Sequence, residues 1–282
     1  WLSAPTALDA MLAAKRAALA ARPPVSGPAK PSDRDFFAAV SRRPAFMLEI
    51  KPASPSEGPL RAAAELAPFI TAAGRHADAL SVLTEHTYFG GSLELLRQVR
   101  SAVPQPILCK DFFLDPAQIV EARRAGADAV LLMLSVLDDD GYRACAAVAR
   151  ALGMGTLTEV HSRTELDRAI ALDAPVIGVN ARNLRTLAID LAEAAELIAR
   201  VPPDRVAIAE SGIRAREDLQ AALHRGADGF LIGTALMKSA TPDLAARRLV
   251  HGFTKICGLT RPEDAAAAAR AGATHGGLVF AD

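Results

Sequence analysis

From residue 45 onward the apolar positions fall into short runs separated by stretches of helical periodicity. The runs are AFMLEI (45–50), ALSVL (79–83), PILCK (106–110), AVLLML (129–134), GTLTEV (155–160), VIGVN (176–180), VAIAE (206–210) and GFLIG (229–233). Between them lie SLELLRQVRSAV, DPAQIVEARRAG, DDDGYRACAAVARALG and REDLQAALHRG, and TPDLAARRLVHG follows the eighth run. Strand-like runs alternating with helical ones predict a parallel sheet with crossover helices. AGADAV (125–130) and RGADGF (225–230) each place a glycine where a helix must end in a left-handed turn, just before the fourth and eighth runs. Eight such units over about 200 residues predict an α/β fold, a (β/α)8 TIM barrel (45–250), rather than an open doubly wound sheet. No G-x-G-x-x-G follows an early run, which argues against dinucleotide binding.

Two flanks fall outside this alternation. ALDAMLAAKRAALAARPP (7–24) is rich in Ala and Arg, as a transit peptide would be, yet it contains Asp9 and spaces Leu8, Met11, Leu12 and Leu19 helically. We read it as an amphipathic helix packed on the rest of the chain, within an N-terminal helical extension over 1–44. The chain opens on Trp1 rather than Met, so its start is expected to lie upstream, and its end looks equally arbitrary. The stretch FTKICGLTRPEDAAAAARAGATHGGLVFAD (253–282) reads as a ninth strand, a ninth helix and a tenth strand, GGLVF. AGATHG repeats the glycine signature, so residues 251–282 read as the opening of a second barrel cut short. Two strands and a helix close no barrel, and this tail is expected to be poorly ordered or docked opportunistically.

Composition narrows the partners. Lys plus Arg and Asp plus Glu each number 32, so no net field directs the chain to nucleic acid or an anionic membrane. The cysteines, Cys109, Cys145 and Cys257, are odd in number and lack metal spacing, as expected of reduced thiols in the cytoplasm. No apolar run reaches the roughly eighteen residues a membrane span needs. The six His are scattered, and no metal or cofactor is implied.

In a barrel, catalytic groups gather at the C-terminal ends of strands, with alternate residues pointing inward. The first strand ends Glu49-Ile50-Lys51, so Glu49 and Lys51 share a face; the third ends at Lys110, the fifth at Glu159, the sixth at Asn180 and the seventh at Glu210-Ser211. The second and fourth end apolar, at Leu83 and Leu134. Strand ends approach solvent, where any one charge is ordinary, but buried charges are costly unless paired or functional. Two Lys and three Glu converging on one mouth make an acid–base cluster. Ser211-Gly212 and Gly233-Thr234 add backbone N–H groups and hydroxyls after strands seven and eight, the usual phosphate position of this fold. Lys51 and Ser54-Pro55-Ser56 bring charge and hydroxyls from next door. Phe89, Phe112, Leu131, Met133, Leu184 and Leu187 could stack a planar ring, or simply fill the upper core. The serines lack a nearby His, which argues against a hydrolase triad.

These segments resemble a known family. LEIKPASPSEG, SVLTEHTYFGGS, PILCKDFFLDP, AVLLMLSVLDDD, GTLTEVHS, IGVNARNL, AIAESGI and GFLIGTALM, in order from about residue 36 to 250, resemble indole-3-glycerol phosphate synthase of tryptophan biosynthesis. KICGLTRPEDA…AGATHGGLVF resembles the start of phosphoribosylanthranilate isomerase, an enzyme fused to the synthase in some bacteria.

The resemblance implies ring closure, decarboxylation and dehydration of 1-(2-carboxyphenylamino)-1-deoxyribulose 5-phosphate, without a cofactor. By motif, Lys110 would be the main general acid, with Glu159 and Glu49 as base and electrostatic partners. Lys51 would hold the substrate carboxylate or phosphate, while Asn180, Glu210 and Ser211 would orient the substrate. Ser54, Gly212, Gly233 and Thr234 would bind phosphate and substrate, with Phe89, Phe112, Leu131, Arg182, Leu184 and Leu231 around them. The N-terminal extension would cover the barrel mouth. Cys257 would be a vestige of the isomerase, whose Asp acid lies on a later strand. The implied enzyme is a cytoplasmic monomer with a phosphorylated small-molecule substrate; contact with tryptophan synthase is not inferable. Pro52, where a basic residue is frequent, and Asn183, where Asp is common, depart from the pattern. The alternatives are another phosphate-binding barrel lyase, such as a Schiff-base aldolase using Lys110, and a non-catalytic ligand-binding barrel.

Overall fold

The computed structural model describes residues 6–21 and 27–279. Trp1, the Arg-Pro-Pro end of the first helical segment and the final Phe-Ala-Asp of the tail therefore lie outside the described residues. Eight parallel strands close a barrel in chain order: β1 (Ala45–Ile50), β2 (Ala79–Leu83), β3 (Ile107–Lys110), β4 (Ala129–Met133), β5 (Gly155–Val160), β6 (Val176–Asn180), β7 (Val206–Glu210) and β8 (Gly229–Ile232). Closure is made by β1 against β8, with Ala45 opposite Gly229 and Leu48 opposite Ile232. Both faces of each strand are covered, which is why they read as continuous apolar runs. One face packs on the surrounding helices; the other fills the interior with Met47, Leu108, Leu131, Leu157, Ile208 and Leu231.

The repeated Gly-Ala-Asp signature has a double role. Gly126 and Gly226 carry φ of 103° and 101°, as the left-handed turn requires. The aspartates that follow then tie neighbouring strands together. Asp128 accepts the N–H of Ile107 at 3.0 Å, and Asp228 that of Ala207 at 2.9 Å. Asp78, before β2, does the same for Phe46 at 2.9 Å. Buried Asp128 is balanced by Arg100 at 2.7 Å and Arg123 at 2.9 Å.

The described part of residues 1–44 does not form one cover over the mouth. Helix α1 (Ala7–Ala20) does lie at the mouth, burying Leu8 and Met11 and placing Lys15 2.6 Å from Asp111, which follows β3. Helix α2 (Phe36–Val40) instead closes the opposite end. Its Phe36 occupies the space left by Gly155 at the start of β5, where a Cβ would stand 2.6 Å from the ring. Before α2, Ser32 is held to Asp128 at 2.7 Å. Five residues are too few to show a period, so α2 was not visible in the pattern. Among the described residues no helix is long and apolar enough to cross a membrane.

The Lys15–Asp111 pair is nearly out of water, with side chains 6% and 9% exposed. Removing one partner of a buried pair costs about 3–5 kcal/mol. Asp111 keeps the Thr84 hydroxyl at 2.9 Å, so Lys15→Met should fall at the low end of that range. Amide hydrogen exchange should then quicken across Ala7–Ala20 and little elsewhere; unchanged protection would show that apolar packing alone holds the helix.

The tail forms a defined βαβ unit rather than an irregular segment. Strand β9 (Lys255–Cys257) pairs in parallel with β10 (His275–Gly277) across the helix Pro262–Arg270. The tenth strand is thus earlier and shorter than GGLVF suggests. The unit rests on the last barrel helix, where Gly272 lies against His251 and Arg247 donates to the Ala273 carbonyl. Its own apolar side chains remain uncovered: Phe253 is 74% exposed, and Ile256, Leu278 and Val279 are also exposed.

Candidate active site

Lys110, the last residue of β3, stands at the centre of the mouth. Its Nζ lies 2.7 Å from Glu210, 3.4 Å from Glu49 and 4.0 Å from Glu159. Lys51 reaches the other oxygen of Glu49 at 2.8 Å. All of these side chains project inward by the two-residue strand period. Glycines on neighbouring strands make the convergence sterically feasible. A Cβ on Gly178 would overlap Oε1 of Glu210, and one on Gly233 would overlap Oε1 of Glu49.

The charges set one another. Burial alone would push the Glu49 carboxyl up, but Lys51 and Lys110 override it and hold it at about 2. Burial opposes the charge on Lys110, yet Glu210, Glu49 and Glu159 together raise its pKa well above that of an ordinary lysine. Glu210 is raised, because burial and the neighbouring carboxylates outweigh Lys110. The cluster thus holds a firmly protonated ammonium among carboxylates of unequal acidity, an arrangement suited to proton transfer.

Above it opens a cavity of about 500 Å³. Glu49, Lys51, Ser54, Phe89, Lys110, Phe112, Leu131, Glu159, Asn180, Arg182, Leu184, Ser211, Gly212, Leu231, Gly233 and Thr234 all line it. Glu210 does not: it sits behind Lys110, so it orients that lysine rather than a bound molecule. Cys257 is remote from the cavity, on the tail. Phe89 and Phe112 meet edge to face, ring centres 6.3 Å apart, forming an apolar wall with Leu131, Leu184 and Leu231. On the side of β7, β8 and β1 the lining turns polar, with Ser54, Ser56, Ser211, Thr234, Lys51, Arg182, Arg214 and Lys238. Ser211 and Gly212 both take left-handed backbone, φ 65° and 75°.

The two departures noted in the motifs have local explanations. Pro52 needs no N–H, because its contribution is a carbonyl that accepts from Leu60 at 2.7 Å and Arg61 at 3.0 Å. Asn183 uses its side-chain oxygen to accept the Arg185 N–H at 2.8 Å, as a carboxylate would. Asn180 is fixed by the Arg182 N–H on its oxygen at 2.9 Å, which leaves its amide nitrogen to donate.

Sequence reasoning missed several groups. Glu85, two residues beyond β2, is buried and accepts the N–H groups of Thr87 at 2.9 Å and Tyr88 at 2.7 Å, shaping the loop that carries Phe89. His161, two residues beyond Glu159, places Nε2 3.2 Å from that carboxylate. Continuing the two-residue period past each strand end would have found both.

The family model described as indole-3-glycerol phosphate synthase matches residues 9–249. The chain belongs to the indole-3-glycerol phosphate synthase family. The "Tryptophan biosynthesis protein TrpCF" of Vibrio cholerae is 49% identical over 252 residues, covering 89% of this chain and 54% of that protein. Its namesake from Yersinia pestis is 50% identical, with 89% and 53% covered. The chain thus spans about half the length of these relatives. Among solved structures, 3-hexulose-6-phosphate synthase superposes with a TM-score of 0.58 at 19% identity, over 74% of this chain and 99% of that one. Mandelate oxidase gives 0.59 at 17%, over 97% and 89%. At such identities these two neighbours show the barrel fold alone. The family match takes in α1 from Asp9 onward, α2 and the whole closed barrel, including every lining residue of the cavity.

Proposed function

We propose that this chain converts 1-(2-carboxyphenylamino)-1-deoxyribulose 5-phosphate to indole-3-glycerol phosphate. The observation that carries the reading is the ammonium of Lys110 among Glu210, Glu49 and Glu159, beneath a cavity lined by apolar side chains on one side and by hydroxyls and cations on the other. The aromatic ring would lie against Phe89, Phe112, Leu131, Leu184 and Leu231. The phosphate would take backbone N–H groups and hydroxyls from Ser211, Gly212, Gly233 and Thr234, with Ser54 beside them.

The chemistry follows from these positions. The carboxyl-bearing ring carbon attacks the ribulose C2 carbonyl, whose oxygen takes a proton from Lys110. A developing alkoxide is a stronger base than an amine, so even a lysine of raised pKa donates as the bond forms. The carboxylate then leaves as carbon dioxide and its bonding electrons restore the ring. Lys51, or Lys110 once solvent has returned its proton, protonates the departing hydroxyl, which leaves as water, and Glu159 removes the proton from ribulose C1. Glu49 and Glu210 hold the lysines, and Asn180 and Arg182 shape the neighbouring loop.

A Schiff-base aldolase is the weaker reading, because such a lysine must be a neutral amine and three carboxylates hold Lys110 protonated. Borohydride trapping of substrate on Lys110 would favour it. The direct test is indole fluorescence on adding the carboxyphenylamino-deoxyribulose phosphate; no signal would sink the synthase reading. Thr234→Asp should set a negative charge against the phosphate and raise KM about 10- to 100-fold with a smaller change in kcat. An unchanged KM would move the phosphate elsewhere.

In this reading residues 1–44 are the helical extension, 45–250 the synthase barrel and 251–282 the opening of an isomerase barrel. A single βαβ unit supplies no closed site around Cys257, so isomerase turnover is not expected from these 282 residues. The synthase acts as a monomer, since one chain supplies the whole cavity, and in the cytoplasm, where free thiols persist.

A further inference from the structure

Glu159 is 1% exposed, and Lys110 is closer to Glu210 and Glu49 than to it. A carboxylate so placed needs another cation to remain charged. The candidate is His161, which follows β5 and is itself nearly buried, its side chain 10% exposed. Its Nε2 lies 3.2 Å from Oε1 of Glu159, and its Nδ1 lies 3.5 Å from Oε2 of Glu165. Glu165 is fixed in turn: the same oxygen accepts the His161 backbone N–H at 2.7 Å, and its own N–H donates to Ser162 at 3.3 Å.

A neutral imidazole has one N–H and one lone pair, so one carboxylate would have an uncharged, unprotonated ring nitrogen beside it. Both contacts are ion-pair distances rather than aligned hydrogen bonds, and only the imidazolium is attracted to both carboxylates. We propose that His161 is a positioning residue, a charged imidazolium clamped between Glu159 and Glu165 that keeps Glu159 ionised and oriented. The role of Glu159 as base rests on the proposed function; its ionisation does not.

The electrostatics agree with the geometry. Burial disfavours charge on His161, but the two carboxylates raise it to about 10. Burial would likewise raise Glu159, yet His161, followed by Lys110 and the Asn180 amide, lowers it. Glu210 from β7 also faces Glu159, and the two carboxylates oppose each other's ionisation.

The test uses the full chain and two variants, His161→Gln and His161→Lys. In the unmodified protein, nitrogen-15 NMR should show His161 as imidazolium at pH 8; a neutral ring there would overturn the proposal even if no variant folds. In His161→Gln, the carbon-13 carboxyl titration of Glu159 should move up by about 1–3 pH units. The acidic limb of kcat/KM should move up with it, since the base is then protonated over a wider range. His161→Lys should bring both back down. A purely structural role would lower activity at every pH and leave the limb in place, and that result, with an unmoved Glu159 titration, would also overturn the proposal. Absence of synthase turnover in the unmodified protein would sink the functional reading while leaving the NMR result decisive for the clamp.

Discussion

Lys110→Ala should lower kcat by roughly 10²- to 10⁴-fold, the span of a lost general acid, or about 3–5 kcal/mol of barrel-mouth catalysis. The loss should appear in kcat more than in KM, because the ring wall and the phosphate loops do not depend on this side chain. A stability effect with a definite sign should accompany it. Without the ammonium, Glu210 keeps only the influences that raise it: burial, Glu159 and Glu49. Its folded pKa then lies further above its unfolded value, so the native state binds more protons than the unfolded state near neutral pH. The variant should therefore be least stable, relative to the parent, at alkaline pH and should recover as pH falls toward 5. Urea denaturation at pH 8 and pH 5.5, with steady-state kinetics, checks both parts. Near-normal turnover would remove Lys110 from its assigned role.

Gly178→Ala should be the second most damaging change, although Gly178 does not line the cavity. Its backbone sits in the middle of β6 with ordinary extended geometry, so the objection to a side chain is purely steric. The added methyl would overlap Glu210 Oε1 and stand 3.2 Å from Leu157 in the next strand. Glu210 must turn away, and its 2.7 Å bond to Lys110 breaks. Overpacking of this kind costs about 1–3 kcal/mol, and an unrestrained Lys110 should lower kcat about 10- to 100-fold with little change in KM. Thermal unfolding and kinetics measured on one preparation test it. A variant with parental turnover would show that Glu210 does not orient the lysine.

The barrel was legible in the sequence because strands covered on both faces announce themselves as unbroken apolar runs, while glycines mark where helices turn back into the sheet. The cluster was legible because strand period and strand polarity together say which side chains reach the mouth. What escaped depended on partners far away in the chain. Glu210 read as a substrate contact, because nothing local shows that Lys110 lies in front of it. Nothing near Lys15 in the chain marks it as buried, because its partner Asp111 comes just after the third strand. The hairpin of Ala53–Ser54 with Gly58–Pro59 and the single turn Thr234–Met237 are too short to carry a period at all.

The N-terminal segment has a bearing on how the molecule is made. Its seats are late: Ser32 waits for Asp128, 96 positions on, and Phe36 waits for the gap at Gly155. On the ribosome, Ser32 and Phe36 therefore emerge long before the surfaces that receive them exist. They cannot nucleate folding, and their contacts come after the long loop closures that slow such topologies. A segment made before the barrel is thus among the last to find its place, clasping both ends once the middle strands have formed.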